Sequence, residues 1–276
     1  MSIVSGAARV AGVTGWPVAH SRSPRIHGFW LRRYNIDGAY VPLPIAPGDF
    51  QVAVRGLAAA GFAGVNVTIP HKVAAFQLCD SADEDARIAG AANTLTFRDG
   101  KISGSNTDRY GFRESLREAG VDPRAGPALV LGAGGGARAV VSALRGLGVP
   151  VTVTNRSREA AEKLAREFGP VRVMPWAARV DALGGYALLV NATPLSMPHQ
   201  PALEMPLTGA DPGLVVVDLV YVPLETPLLA EARARGLRAV DGLGMLLHQA
   251  RPGFAAWFGV DPQVDDELRR FVLADL

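Results

Sequence analysis

Residues 128–147 read ALVLGAGGGARAVVSALRGL: an apolar run that predicts a strand, a glycine cluster, then a stretch of good helix formers. The cluster Gly132-Ala133-Gly134-Gly135-Gly136-Ala137 matches G-x-G-x-x-A between a strand and a helix, the context that dinucleotide phosphates require. Gly132 permits the tight turn, Gly134 lets backbone approach a pyrophosphate, and the small Ala137 lets helix and strand pack closely. Free N–H groups at the start of the helix, read over Arg138–Leu147, then bind the phosphates. Taken alone, the stretch could also be a glycine-rich turn with no ligand. The next strand, Val151–Asn155, ends in Asn155-Arg156-Ser157, where an NAD enzyme usually carries a carboxylate for the ribose 2′-hydroxyl. A guanidinium pairs with a 2′-phosphate instead, so Arg156 points to NADP, and Ser157 is placed to cap the helix beginning at Arg158.

The same alternation extends in both directions. Downstream, Val171–Met174, Ala187–Asn191, Leu214–Leu219 and Arg238–Val240 are nearly continuous Val, Leu and Ala, as strands covered on both faces must be. Upstream, a linking helix over Arg109–Ala119 leads back to strands at Val10–Thr14, Ala39–Leu43 and Gly64–Thr68, with helices at Pro24–Tyr34 and Asp49–Ala60 between them. Ser23 reads as an N-cap followed by proline at the first helical position. From Met245 to Leu276 the pattern is helical again, interrupted at Pro252, and is expected to pack back on the first half and close a cleft. The fold class expected is α/β with a largely parallel sheet in each of two domains. Residues 1–106 plus 245–276 are expected to form one α/β domain, and 107–244 a Rossmann-like NADP-binding domain. A length of 276 residues suits two cores better than one.

Composition narrows the function classes. Apolar residues make up 49% and charged residues 20%, which fits well-filled cores. Lys and Arg number 28 against 26 Asp and Glu, too even a balance for nucleic acid, so a small anionic ligand is the better expectation. Cys79 is the single cysteine, which excludes an internal disulfide; it is expected to pack as core, and a reducing cytoplasm fits. The opening MSIVSGAARVAGVTG shows no leader, and no run reaches the roughly 18 apolar residues of a membrane span. His20, His27, His71, His199 and His248 lack metal-ligand spacing and read as structural, with no metal site. Oligomeric state, monomer or homodimer, is not legible.

Four polar islands stand out in the first half: Ser21-Arg-Ser23-Pro24, Asn66-Val-Thr68-Ile-Pro70-His71-Lys72, Ala92-Asn93-Thr94 and Asn106-Thr107-Asp108. Three follow apolar runs, and polar groups at strand ends of an open sheet converge on one crevice. With G-W-P-V-A-H-S-R-S-P, N-V-T-I-P-H-K, G-A-A-N-T-L, N-T-D, G-A-G-G-G-A, N-R-S, N-A-T-P-L-S-M, Y-V-P-L-E-T-P-L-L and G-L-G-M-L-L-H-Q-A in this order from Gly15 to Ala250, the chain resembles the shikimate dehydrogenase family.

The resemblance implies NADPH-dependent reduction of 3-dehydroshikimate to shikimate, with a substrate domain, an NADP domain and a cleft between them. It assigns the substrate carboxylate to Ser21 and Ser23, the hydroxyls to Asn66, Thr68, Asn93, Asp108, Tyr221 and Gln249, and catalysis to Lys72 and Asp108. Chemistry agrees, because a ketone gaining hydride builds charge on oxygen that a positioned cation stabilises and protonates. Which of the pair moves the proton stays open, Asp108 serving orientation as much as relay. Taken singly, Lys72 could be an exposed first-turn lysine, Asp108 an N-cap, and Ser23 the cap before Pro24. On the cofactor side the resemblance adds Met197, Leu219, Gly242 and Met245 around the nicotinamide, Thr193 at a strand end near it, and Glu84 as a weaker contact. Met197, Leu219 and Met245 could equally be core.

The chain also departs from the family. Arg109-Tyr110 precede Gly111 where glycine usually follows the aspartate, Ser196 and Val222 replace glycine and asparagine, and Ala160 stands where a second adenine-side arginine is usual, leaving Arg158 to substitute. Ser196 at φ > 0 would be strained, and Arg109 could add positive charge at the mouth of the cleft. The rival activities are a quinate or quinate/shikimate dehydrogenase and a catalytically silent NADP-binding sensor. Two serines at Ser21 and Ser23 favour shikimate, and retention of Lys72 and Asp108 disfavours a silent module.

Overall fold

The computed structural model describes residues 4–274, so the first residues of the stretch read for a leader and the end of the helical reading to Leu276 lie outside the described residues. The chain forms two compact units, one comprising the chain up to Asp108 with the segment from Gln249 onward, the other Arg109–His248. Among the described residues, no helix is long and apolar enough to cross a membrane.

The first unit carries β1 (Arg9–Gly15), α1 (Ser23–Arg33), β2 (Gly38–Pro44), α2 (Phe50–Ala59), β3 (Gly64–Val67), α3 (Lys72–Leu78), β4 (Ser81–Ala82), α4 (Glu84–Ala89), β5 (Thr94–Arg98) and β6 (Lys101–Ser105). Its sheet runs β2-β1-β3-β5-β6-β4. β2, β1 and β3 are parallel, as is β4 to β6, while β5 is antiparallel to both β3 and β6, so the sheet is parallel-rich with an antiparallel hairpin set into it. The local cause is Asp99-Gly100, with φ of 52° and 72°, the paired left-handed conformations of a two-residue hairpin turn. Pro42 and Pro44 lie on the edge strand β2, where a missing N–H costs no ladder bond on the open side.

The chain crosses to the second unit in α5 (Asp108–Glu118) and returns in α9 (Leu243–Phe258), followed by α10 (Asp266–Leu273). The expected packing of the C-terminal helices on the first unit is present. Trp257 Nε1 donates to Leu95 O at 3.1 Å, Trp30 Nε1 to Gln263 O at 3.0 Å, and Arg33 pairs with Asp265 and Glu267 at 2.7 and 2.8 Å. Gly64 must be glycine, because a Cβ there would run into Leu95 O and the Trp257 indole. Pro252 does not interrupt α9. It forfeits one helical hydrogen bond, and burial of Leu247, Ala250, Phe254 and Trp257 on either side outweighs that loss.

In the second unit, β7 (Ala128–Leu131), α6 (Gly135–Gly146), β8 (Val151–Thr154), α7 (Arg158–Phe168), β9 (Val171–Met174), β10 (Leu188–Asn191), β11 (Val215–Asp218), α8 (Pro227–Ala234) and β12 (Arg238–Val240) build a wholly parallel sheet. Its order is β12-β11-β10-β7-β8-β9. Side chains of β7, β8 and β10 are buried throughout, which explains their unbroken apolar reading. The order reverses between β7 and β10, and the crevice beyond their carboxyl ends is where an open sheet binds ligands.

Candidate active site

In the first unit, strand ends and helix starts bring most of the expected polar residues into one network. Lys72 opens α3, and its Nζ lies 2.6 Å from Asp108 Oδ2 at the start of α5. Asn93, just before β5, donates through Nδ2 to Asp108 Oδ1 at 2.8 Å and to Thr107 Oγ1 at 3.0 Å, with Gln249 Oε1 at 3.4 Å. Its Oδ1 accepts from Thr107 N at 2.9 Å, which fixes the amide face. Thr107 Oγ1 donates to Gln249 O at 2.7 Å, tying the start of α5 to α9 within the unit. The Asp108 N–H is taken by Asn106 Oδ1 at 3.1 Å. Asn106 therefore caps that turn and leaves the Asp108 carboxylate for Lys72.

Ser23 is not the N-cap of α1. Arg22 holds that position with no side-chain cap bond, and Ser23 is already helical, with Pro24 behind it. Its N–H instead donates to Ser21 Oγ at 3.3 Å, a local serine turn that takes over the capping task. Asn66, in β3, is buried, and its amide is engaged at both ends: Oδ1 accepts from Tyr40 Oη at 2.6 Å, while Nδ2 donates to Thr94 Oγ1 at 3.0 Å and Asn93 O at 3.3 Å. Thr68 follows β3 half-buried, and a Cβ added to Gly15 would fall 2.5 Å from its methyl. Glu84 stands apart from the network, exposed in the first turn of α4 behind the N-cap Asp83. Tyr221 belongs to the second unit, half-buried after β11.

Histidines here are structural. His71 Nε2 lies 2.7 Å from Ile45 O, with its ring stacked on Phe50. His27 is wholly buried against Tyr40, and burial pushes its imidazole down to about 3. Cys79 packs against the core of the first unit as expected, half-buried, although it is the extended residue ending α3 rather than a helical one; its Sγ donates to Ala75 O at 3.0 Å, and burial pushes the thiol up to about 11. Among the described residues no group of three or more His, Cys, Asp or Glu could hold a metal ion.

The second unit offers a dinucleotide cradle. Gly132 leaves β7 at φ 112°, and a Cβ there would meet Ala192 O at 3.0 Å, so turn and close approach both demand glycine. The helix starts at Gly135, earlier than the Arg138 expected, because first-turn N–H groups lack intrahelical partners in any case and glycine is tolerated there. Gly134 is the N-cap without a side-chain cap, and nothing lies within 4 Å of a Cβ placed on Gly134 or Gly135. That open backbone with uncapped donors fits a pyrophosphate. Ala137 is fully buried between helix and sheet. Asn155 is half-buried after β8, Arg156 is exposed beside it, and Ser157 caps α7 by accepting from Ala160 N at 3.3 Å. Arg158 is engaged by Glu162 at 2.8 Å. These features suit a 2′-phosphorylated dinucleotide held through its pyrophosphate by Gly132–Ala137 and through its 2′-phosphate by Arg156.

Thr193 follows β10, and both its N and Oγ1 donate to Asn191 Oδ1, at 3.0 and 2.7 Å. Leu219 and Met245 are partly buried against the core, Gly242 is buried, and Met197 is exposed rather than core. Ser196 does adopt φ 73°, and its Oγ accepts from Leu203 N at 2.9 Å. The Arg109 guanidinium lies against Gly146 at the end of α6, within its own unit.

Several working residues had no role in the sequence reading. Tyr40, unmarked there, and Thr94 and Thr107, singled out only as members of polar islands, hold the first network. Asp218, buried at the end of β11, accepts from Asn191 Nδ2, Val220 N and Thr226 Oγ1 at 2.9, 3.0 and 2.7 Å, bracing the loops that carry Thr193 and Leu219. Burial pushes its carboxyl up against those three bonds. The available signal was a polar residue closing each apolar strand, VVVD and LLVN.

Residues 13–95 match the family described as the shikimate dehydrogenase substrate binding domain, and 119–219 that described as shikimate/quinate 5-dehydrogenase. The chain is 63% identical to the shikimate dehydrogenase (NADP(+)) of Acidiphilium cryptum, covering 99% of each chain. It is 57% identical to that of Paramagnetospirillum magneticum, covering 98% of this chain and 100% of the other. Among solved structures it superposes on shikimate 5-dehydrogenase of Thermus thermophilus in complex with NADP(H) and shikimate, with TM-score 0.88, 38% identity, and coverage of 97% and 100%.

Proposed function

The chain belongs to the shikimate dehydrogenase family, and we propose that it performs that family's reaction at the first-unit network, reducing 3-dehydroshikimate to shikimate in aromatic amino-acid biosynthesis. The chain is an NADP-dependent oxidoreductase acting on CH–OH. The observation that carries the assignment of roles is the 2.6 Å contact of Lys72 Nζ with Asp108 Oδ2.

Bound NADPH supplies the hydride for the carbonyl carbon. Lys72 faces the oxygen that gains charge. One of its three N–H bonds goes to Asp108, which leaves two for the substrate. Both Asp108 oxygens act as acceptors, from Lys72 and Asn93, so the proton to be given is held on Lys72 Nζ rather than on the carboxylate. Asp108 positions the ammonium and Asn93 positions Asp108. Ser21 and Ser23 meet the substrate carboxylate, and Thr68, Asn93 and Gln249 its hydroxyls. Asn66, with its amide engaged at both ends, orders its neighbours. Arg156 selects NADP over NAD. We place the protein in the cytoplasm as part of this reading, which a single cysteine, with no internal disulfide to form, fits.

A steady-state assay with shikimate and NADP, repeated with quinate and with NAD, tests this. The highest kcat/KM is expected for the first pair. Preference for quinate would support the rival dehydrogenase, and no turnover with either the silent module.

A further inference from the structure

A chain of hydrogen bonds runs through the buried side of the first unit. Tyr40 Oη donates to Asn66 Oδ1 at 2.6 Å, Asn66 Nδ2 to Thr94 Oγ1 at 3.0 Å, and Thr94 Oγ1 to Asn93 Oδ1 at 3.1 Å. Asn93 Nδ2 then donates to Asp108 Oδ1 at 2.8 Å, with Lys72 on the other carboxylate oxygen. All donors point toward the carboxylate, so the direction of each hydroxyl and amide is set by the one before it. Tyr40, Asn66, Thr94, Asn93 and Asp108 are all buried, where a reversed or missing donor is costly. The Tyr40 ring cannot pivot: it lies flat on His27, with centroids 4.0 Å and planes 1° apart, and His27 is walled by Trp30 and Trp257.

We propose that Tyr40 is a positioning residue for catalysis, its hydroxyl fixing the Asn66 amide and, through Thr94 and Asn93, the carboxylate that aims Lys72. The inference rests on the reading of this unit as the shikimate site. The link acts on the aim of Lys72 and leaves the groups that meet the ligand's carboxylate in place. A distinctive split in the kinetics follows.

Tyr40→Phe keeps the ring and deletes the link. With shikimate and NADP, kcat is expected to fall roughly 5- to 10-fold, limited because Thr107 N also holds Asn93 Oδ1. The KM for shikimate should stay level, and that for NADP should not change. Thr94→Val cuts the same chain one step on and should lower kcat similarly, with the double variant no worse than the poorer single one. Unchanged kcat in Tyr40→Phe overturns the proposal. So does a KM for shikimate that rises as steeply as kcat falls, or two effects that multiply. If Tyr40→Phe does not fold, Thr94→Val decides by the same kcat and KM test. If neither folds, the bonds serve folding and the positioning role fails. Wild-type enzyme inert toward shikimate would instead overturn the reading of the site itself.

Discussion

Replacing Asp108 by Asn separates positioning from proton donation. The wild-type carboxylate accepts on both sides, from Asn93 at 2.8 Å and Lys72 at 2.6 Å. An amide accepts on one side only. Asn93 cannot turn to oblige, because its Oδ1 is held by Thr107 N, so the new carbonyl faces Asn93 and the new NH2 faces the Lys72 ammonium. Lys72 loses one charge-assisted bond, worth about 1.5–3 kcal/mol, and is pushed from its aim. If Asp108 only positions Lys72, that loss lowers kcat by roughly 10- to 150-fold. Lys72→Met removes the proton donor itself and should cost about 10²–10⁴-fold. The assay is kcat at saturating shikimate and NADP for both variants, with thermal unfolding measured alongside to confirm folding. An Asp108→Asn loss equal to or larger than that of Lys72→Met would refute the division of roles and make Asp108 the proton-transferring group.

Arg156→Ala should raise KM for NADP by about tenfold or more while leaving KM for NAD within about twofold, since only NADP presents the 2′-phosphate; equal changes would remove Arg156 as the discriminator. His27, held down to about 3, stays neutral in the folded protein while it takes up a proton near its ordinary 6.5 when unfolded. Its stabilising effect is therefore complete above pH 6.5 and is lost as pH falls toward 3, at up to about 1.4 kcal/mol per pH unit. His27→Phe should flatten unfolding free energy against pH over that window, and an unchanged slope would count against it.

Legibility in the sequence followed burial. Ala128–Leu131 and Val151–Thr154 were read within a residue of their ends because strands covered on both faces leave no choice but apolar side chains. The hairpin of β5 and β6 was missed, although Asp99-Gly100 between Thr94-Leu-Thr-Phe and Ile102-Ser is a strong local turn signal; its half-exposed strands lack that apolar continuity. Lys72, Asp108 and Asn93 were legible as motif residues. Tyr40 was not, since an aromatic in a predicted strand looks like core until its hydroxyl is seen against Asn66. Ser23 was read as a cap because serine before proline usually is one; three-dimensional context gave that task to Ser21.

The return of α9 and α10 to the first unit bears on the order in which the protein can be made. Gly64 and Leu95 meet Trp257, Trp30 meets Gln263, and Arg33 meets Asp265, so the sheet built from the earliest residues is sealed by some of the last. During synthesis from the N-terminus at about 5–20 residues per second, the opening segment leaves the ribosome with that apolar face bare. The second unit, continuous from Arg109 to His248, has all its residues before Trp257 is added. The part translated first is the part completed last, and for those seconds it depends on chaperones, or on its own partial collapse, to stay out of aggregates.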